Sequence, residues 1–182
     1  NDLFGIAYGA GNFVAVGIAG TVARSADGFT WTTQTIAATN HLPGVAFASG
    51  QFVAVGDWGA VFTSADGIAW IKRASGTFLD LRTITYFNGR FVAGGEAGIV
   101  LTSVNGITWT PVFEHEPVHS VGDIAIFQPN PNLIWVGTGE ANVRNSVSFG
   151  NGVYKTTDGG KSWRHLGLAD TRHISRIVVN PQ

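Results

Sequence analysis

Ser25-Ala26-Asp27-Gly28-Phe29-Thr30-Trp31 returns as SADGIAW from Ser64 to Trp70 and as SVNGITW from Ser103 to Trp109. A looser copy, TTDGGKSW, runs from Thr156 to Trp163. Ser25, Ser64 and Ser103 stand 39 residues apart and Thr156 follows Ser103 by 53, so the chain is a tandem array with one enlarged unit. Ser and Asp two residues apart fold their oxygens back onto the amides of a tight turn, and the next Gly supplies a positive φ without steric cost. Ser25 with Asp27, Ser64 with Asp66, Ser103 with Asn105 and Thr156 with Asp158 are therefore read as four self-capped turns. Trp31, Trp70, Trp109 and Trp163 follow on alternating stretches such as FTWTTQTI, where each ring drops between neighbouring units.

Outward from these turns, each unit reads as four short strands bounded by Gly or Asn. The first unit gives LFGIAYG, NFVAVG, TVARSA and FTWTTQTI; the second LPGVAFA, QFVAVG, AVFTSA and IAWIKRA; the third LRTITYF, RFVAGG, IVLTSV and ITWTPVF. Phe13, Phe52 and Phe91 recur at the 39-residue spacing, as do Ile6, Val45 and Ile84, and both sets are expected in the core. The units are bounded at about 2–40, 41–79, 80–120 and 121–172. HISRIVVNPQ, residues 173–182, has the pattern of a first strand whose three partners do not follow it.

The turn motif resembles the Asp-box, or bacterial neuraminidase repeat, which lies between the third and fourth strands of β-propeller blades. The copy with Thr156, Asp158, Gly160, Ser162 and Trp163 has the full spacing; the first three are one residue shorter, and the third carries Asn105 in place of Asp. The last third, through WVGTGEANVRNS, GVYKTTDGGKSW and HISRIVVNP, is similar to blades of the sortilin and xyloglucanase type, including glycosyl-hydrolase-like proteins. The first three units follow a different pattern, centred on NGRFVAGGEAGIVLTS, and the two meet near residues 112–121. The resemblance implies an all-β propeller of four-stranded antiparallel blades, four blades plus one extra strand, with structural roles for the turn residues. It specifies fold far better than function.

Composition narrows the classes. The chain has 182 residues, 45% of them hydrophobic and 13% charged, which suffices for one domain with a sizeable core. Its 25 glycines suit an all-β array with frequent tight turns. A net charge of −1 with no basic run gives no pull toward nucleic acid or an anionic membrane. Cysteine is absent, which excludes disulfides, a thiol nucleophile and cysteine metal ligands. Methionine is absent even at position 1, so the chain is expected to begin after a removed leader or to have been excised from something longer. The compartment stays open, with a secreted or periplasmic one favoured.

In such a fold the second-to-third-strand turns and the blade connections share one face, around the mouth of the channel. The inner turns place Asp57, Trp58, Glu96 and Glu140 there, and the connections add His41, Asp80, Arg82, the segment FEHEPVHS from Phe113 to Ser120, Asp123, His173 and Arg176. Paired carboxylates among Asp57, Glu96, Asp123 and Glu140 would serve a glycosidase, which needs two of them roughly 5 to 9.5 Å apart. The same residue types also serve hairpin turns for solubility alone. The insert from Ala141 to Asn151 carries Asn142, Arg144, Asn145 and Phe149, a set suited to holding a sugar by hydrogen bonds and one stacking ring, or simply a hairpin extension. Glu114, His115, Glu116 and His119 are the densest potential metal ligands, but Pro117 argues for a loop that does not bring both imidazoles to one face.

Two functions follow. The first is a non-enzymatic binding or scaffold module, without cofactor, that presents its channel face to a glycan or protein partner. The alternative is a glycoside hydrolase using the paired carboxylates. The leftover strand predicts self-association, because an open array exposes blade faces and strand edges.

Overall fold

The computed structural model describes residues 2–36, 40–87, 89–127, 129–130, 132–139 and 149–180. Blade 1 is an antiparallel meander of β1 (Leu3–Gly9), β2 (Asn12–Gly17), β3 (Thr21–Ser25) and β4 (Thr32–Thr35). Blade 2 repeats it with β5 (Gly44–Ala48), β6 (Gln51–Gly56), β7 (Ala60–Ser64) and β8 (Ile71–Arg73). Blade 3 holds β9 (Leu81–Phe87), β10 (Arg90–Gly95), β11 (Val100–Ser103) and β12 (Thr110–Pro111). Blade 4 holds β13 (Val121–Ile126), β14 (Ile134–Thr138), β15 (Val153–Thr156) and β16 (Arg164–His165). The chain is an all-β propeller array of four four-stranded antiparallel sheets, as its period requires.

The first hairpins of blades 1 and 2 turn at Ala10-Gly11 and Ser49-Gly50, all four residues with φ between 48 and 75°. Two successive left-handed residues match the twist of the flanking strands. The hairpins then pair an aromatic with an aromatic: Tyr8 with Phe13, Phe47 with Phe52 and Tyr86 with Phe91, at centroid separations of 4.6–4.7 Å.

The core lies in the seams between blades. Val14, Val16 and Val22 of blade 1 meet Leu42, Val45 and Phe62 of blade 2. Val53, Val55 and Val61 of blade 2 meet Phe91, Leu101 and Trp109 of blade 3. Val92 and Val100 of blade 3 meet Val121, Ile124 and Val136 of blade 4. In each of these three seams the earlier blade contributes a valine-rich trailing face and the later blade a leading face that covers it.

Two expectations of burial fail in blade 1. Phe13 is only half-buried, whereas Phe52 and Phe91 are fully enclosed; Ile6 is 59% exposed, whereas Val45, at the same repeat position, is 8% exposed. The reason is positional: the leading face of blade 1 has no blade against it among the described residues. The Trp rings divide likewise, with Trp109 8% and Trp31 38% exposed.

Residues 171–180 carry no strand assignment and have no ladder partner among the described residues. Their side chains nonetheless follow a blade. A Cβ on Gly94 would meet Val121 and Ile124; a Cβ on Gly137 would meet Ile174 and Ile177 in the corresponding way. The segment thus occupies the place of an innermost strand beyond blade 4, anchored by Ile174 N–H donating to Thr138 O at 3.1 Å.

Candidate functional site

A four-stranded meander sends its third-to-fourth turns to one end and its second-to-third turns, with the blade connections, to the other. At the first end the four motif turns close on themselves. Asp27 Oδ1 accepts the N–H of Phe29 and of Thr30 at 2.9 and 2.8 Å, while Ser25 Oγ donates to Asp27 and accepts Gly28 N–H. Asp66 and Ser64 repeat this arrangement, and Asn105 Oδ1 accepts Ile107 N–H and Thr108 N–H as the carboxylates do. In blade 4, Asp158 takes the Ser162 amide and hydroxyl and the Thr156 hydroxyl. The indoles of Trp31, Trp70 and Trp109 donate to their own turn glycines, whereas Trp163 donates across the seam to Val112 O at 2.7 Å. Amide donors at Thr30 and Phe29, with the Ser25 hydroxyl, lower the Asp27 carboxyl to about 2. Ile68 and Ala69 N–H groups lower Asp66, and the Ser162 and Thr156 hydroxyls lower Asp158.

At the opposite end the structure gathers one charged constellation. In blade 2 the Asp57–Gly59 turn is a single 3-10 turn, closed by Ala60 N–H on Asp57 O. Thr77 O lies 2.1 Å from where a Cβ on Gly59 would stand, so only glycine fits that φ of 65°. Trp58 sits beside it at φ 58°, ψ 35°, a left-handed conformation rare for a bulky residue, and is 74% exposed. Asp80, just before β9, accepts the Trp58 N–H at 2.7 Å.

Arg82 on β9 joins this turn to blade 3. Nη1 donates to Asp57 Oδ1 at 2.8 Å; Nη2 donates to Asp80 Oδ2 and to Glu96 Oε1, each at 2.6 Å. The Arg82 side chain is 14% exposed and that of Glu96 40%. Burial works to lower the guanidinium pKa, but the Glu96 hydrogen bond and the charges of Asp80, Glu96 and Asp57 outweigh it and raise the pKa above the ordinary arginine value. Arg82 Nε is buried without an acceptor among the described residues. Three carboxylates around one guanidinium leave two negative charges in excess at this mouth.

The other candidates divide. Asp123 accepts Ile177 N–H at 2.6 Å, and with Arg176 it lines a groove of about 530 Å³ between β9, β13 and the terminal segment. Phe149 stands 5.8 Å from the His173 ring, with the Arg172 guanidinium 4.9 Å from its centroid. Glu140, Asn142, Arg144 and Asn145 lie outside the described residues. His41 accepts Ala19 N–H at its Nδ1. His115 and His119 are both exposed; among the described residues no three of His, Asp and Glu converge as a metal ion would require.

Sequence reasoning overlooked two things. Arg172 completes the Phe149 stack and is visible only once the terminal segment is laid on blade 4. A cleft of about 810 Å³ lies at the motif-turn end, lined by Glu114, His115, Asn132, Asp158 and Lys161 among others. Glu114 and His115 belong to a connection expected at the channel mouth; they line this cleft at the opposite end instead.

No protein family and no curated protein matches the chain. Solved structures do resemble it. An ancestral GH74 enzyme superposes with a TM-score of 0.71 at 18% identity over 94% of this chain and 26% of its own. GH74 from Niastella koreensis gives 0.60 at 22% over 90% and 24%. YCF48 bound to D1 peptide gives 0.50 at 12% over 89% and 79%. The chain spans about a quarter of the length of those two GH74 enzymes. At these identities the likeness concerns the fold, a β-propeller, which both enzymes and a peptide-binding protein use.

Proposed function

We propose that this chain is a non-enzymatic binding module whose channel mouth, built on Trp58, Arg82 and Glu96, takes a protein segment carrying basic side chains. The observation that carries the reading is the Arg82 constellation. Asp57 and Glu96, both candidates for an acid and base pair, are engaged by the same guanidinium and serve a fixed, net negative rim rather than a proton-transfer pair. Beside that rim Trp58 displays its indole in a left-handed turn, a surface suited to cation–π contact with lysine or arginine. The peptide-bound YCF48 neighbour supports a protein ligand for this kind of scaffold. The motif turns, capped as Asp-boxes are, belong to the scaffold in this reading, and copies of the chain associate.

The test is a tiled peptide array, with a glycan array beside it, probed with the wild type, Trp58→Ala and Glu96→Gln. Capture of basic peptides that both variants lose supports the reading. Capture of glycans alone, or turnover of an aryl glycoside abolished by Glu96→Gln or Asp57→Asn, contradicts it and favours the hydrolase.

A further inference from the structure

The first two seams between blades are stitched by side chains at the motif-turn end. From blade 1, Arg24 Nε donates to Asp66 O at 3.2 Å and Gln34 Nε2 to Ile68 O at 2.8 Å, and from blade 2 Gln51 Nε2 donates to Asn105 O. Blade 3 carries Thr102, Val112 and Arg90 at those three repeat positions, and the Arg90 side chain has no hydrogen bond or ion pair among the described residues. Blade 4 departs from the repeat twice at that end. Its motif turn has one more residue between Asp158 and Trp163 than the other copies have, and its β13–β14 connection spans 127–133 where blades 1 and 2 use Ala10-Gly11 and Ser49-Gly50. Gly159 N–H donates to Asn132 O at 3.1 Å and joins the two departures. The consequence is a cleft of about 810 Å³, where the matching positions of the first seam enclose about 210 Å³. The Trp163 indole on Val112 O holds the two blades together beside it.

We propose that this cleft is a binding site for a sugar acid, a small hydroxylated molecule carrying one carboxylate. Its volume lies within the range of small-molecule sites. Arg90 enters at the start of β10 and Lys161 from the enlarged turn, two cations without an acidic partner at ion-pair distance among the described residues. A carboxylate is the anion that a guanidinium fork and an ammonium receive together. The acids in the lining set its charge. Glu114 and Asp158 balance the two cations, so a doubly charged phosphate meets repulsion that a single carboxylate avoids. Asp158 has both oxygens taken by Thr156 and Ser162, which leaves the Glu114 carboxylate and the Asn132 side chain to accept hydroxyl protons. Thr110 adds a hydroxyl, and Pro111 and Val112 give an apolar strip for the C–H face of a ring. The cleft lies at the opposite end from Trp58 and Arg82, so its ligand is additional to the basic segment proposed for the mouth.

An amide-resolved NMR titration tests this with an aldobiuronic acid, one glucuronate joined to one neutral sugar, and with its methyl ester. The expected result is saturable shifts at the Gly159, Gly160 and Lys161 amides with the acid, and a dissociation constant raised about tenfold or more for the ester. Arg90→Gln and Lys161→Met each raise it by a similar factor, whereas Lys72→Met, at an exposed lysine of blade 2, leaves it unchanged. The comparison of acid with ester on the wild type needs no variant, so a substitution that disturbed the fold would not hide the answer. Absence of a saturable shift, equal binding of acid and ester, indifference to Arg90→Gln or Lys161→Met, or an equal loss in Lys72→Met overturns the assignment. Shifts confined to the Trp58 mouth overturn it as well. Capture of basic peptides at that mouth stands or falls separately, since none of these substitutions touches it.

Discussion

Arg82 Nη1 donates to Asp57 Oδ1 at 2.8 Å, and in doing so ties the innermost strand of blade 3 to the inner turn of blade 2. With Asp80 and Glu96 on Nη2, one guanidinium holds three carboxylates from two blades. Arg82→Met removes the counter-charge and leaves the acids facing one another. It is expected to destabilise the fold by about 1–3 kcal/mol, less than a fully buried pair because the group is partly exposed. Urea unfolding checks the value, and an unchanged midpoint would show that the cluster is solvated rather than structural.

Acid stability should follow the motif turns. Asp27 is lowered to about 2, and Asp66 and Asp158 are lowered as well. A carboxyl whose folded pKa lies below its unfolded value of about 3.9 adds stability above that value and loses it as the pH falls through the folded one. Thermal midpoints are expected to hold above pH 4 and to fall between pH 4 and 2. Asp27→Asn combined with Asp66→Asn should flatten that fall, since Asn105 already caps the third turn without a titratable group. An unaltered pH profile in the double variant would rule the turns out as its source.

The terminal segment offers a cleaner probe of packing. Gly137→Val places a Cβ within 2.5 Å of Ile174 Cγ2, so the segment must lift from blade 4. The expected outcome is faster hydrogen exchange at Ile174 and Ile177 and new tryptic cleavage at Arg172 and Arg176, with blades 1 to 3 unaffected. Protection equal to the wild type would place the segment elsewhere.

Core positions that share a repeat phase should not share an energy. Phe91 is fully buried and Phe13 only half-buried, so Phe91→Ala is expected to cost about 3–5 kcal/mol and Phe13→Ala clearly less. Equal losses in urea would mean that blade 1 is covered in solution as blade 3 is.

That contrast shows where sequence was informative. A period of 39 residues, the turn chemistry of Ser25 and Asp27 and the alternation of each strand were enough to derive four antiparallel blades, because these are local requirements repeated along the chain. Periodicity assigned Ile6 the burial of Val45, since a repeat says nothing about whether a neighbour stands beside the first unit. The mouth was half legible. Asp57, Trp58, Arg82 and Glu96 were all placed on one face by topology, but their convergence on a single guanidinium depends on how adjacent blades are rotated. Spacing along the chain does not carry that angle. Phe149, Arg172 and His173 come together only through the fold-back of the terminal segment.

The central claim is a binding mouth selective for basic side chains, and titration calorimetry tests it most directly with two end-capped peptides, one alternating lysine with serine and one alternating glutamate with serine. The account predicts salt-sensitive binding of the lysine peptide, weakened at least fivefold by Trp58→Ala and by Glu96→Gln, and none of the glutamate peptide. Equal binding of the two peptides, or lysine-peptide binding indifferent to both substitutions, would contradict it.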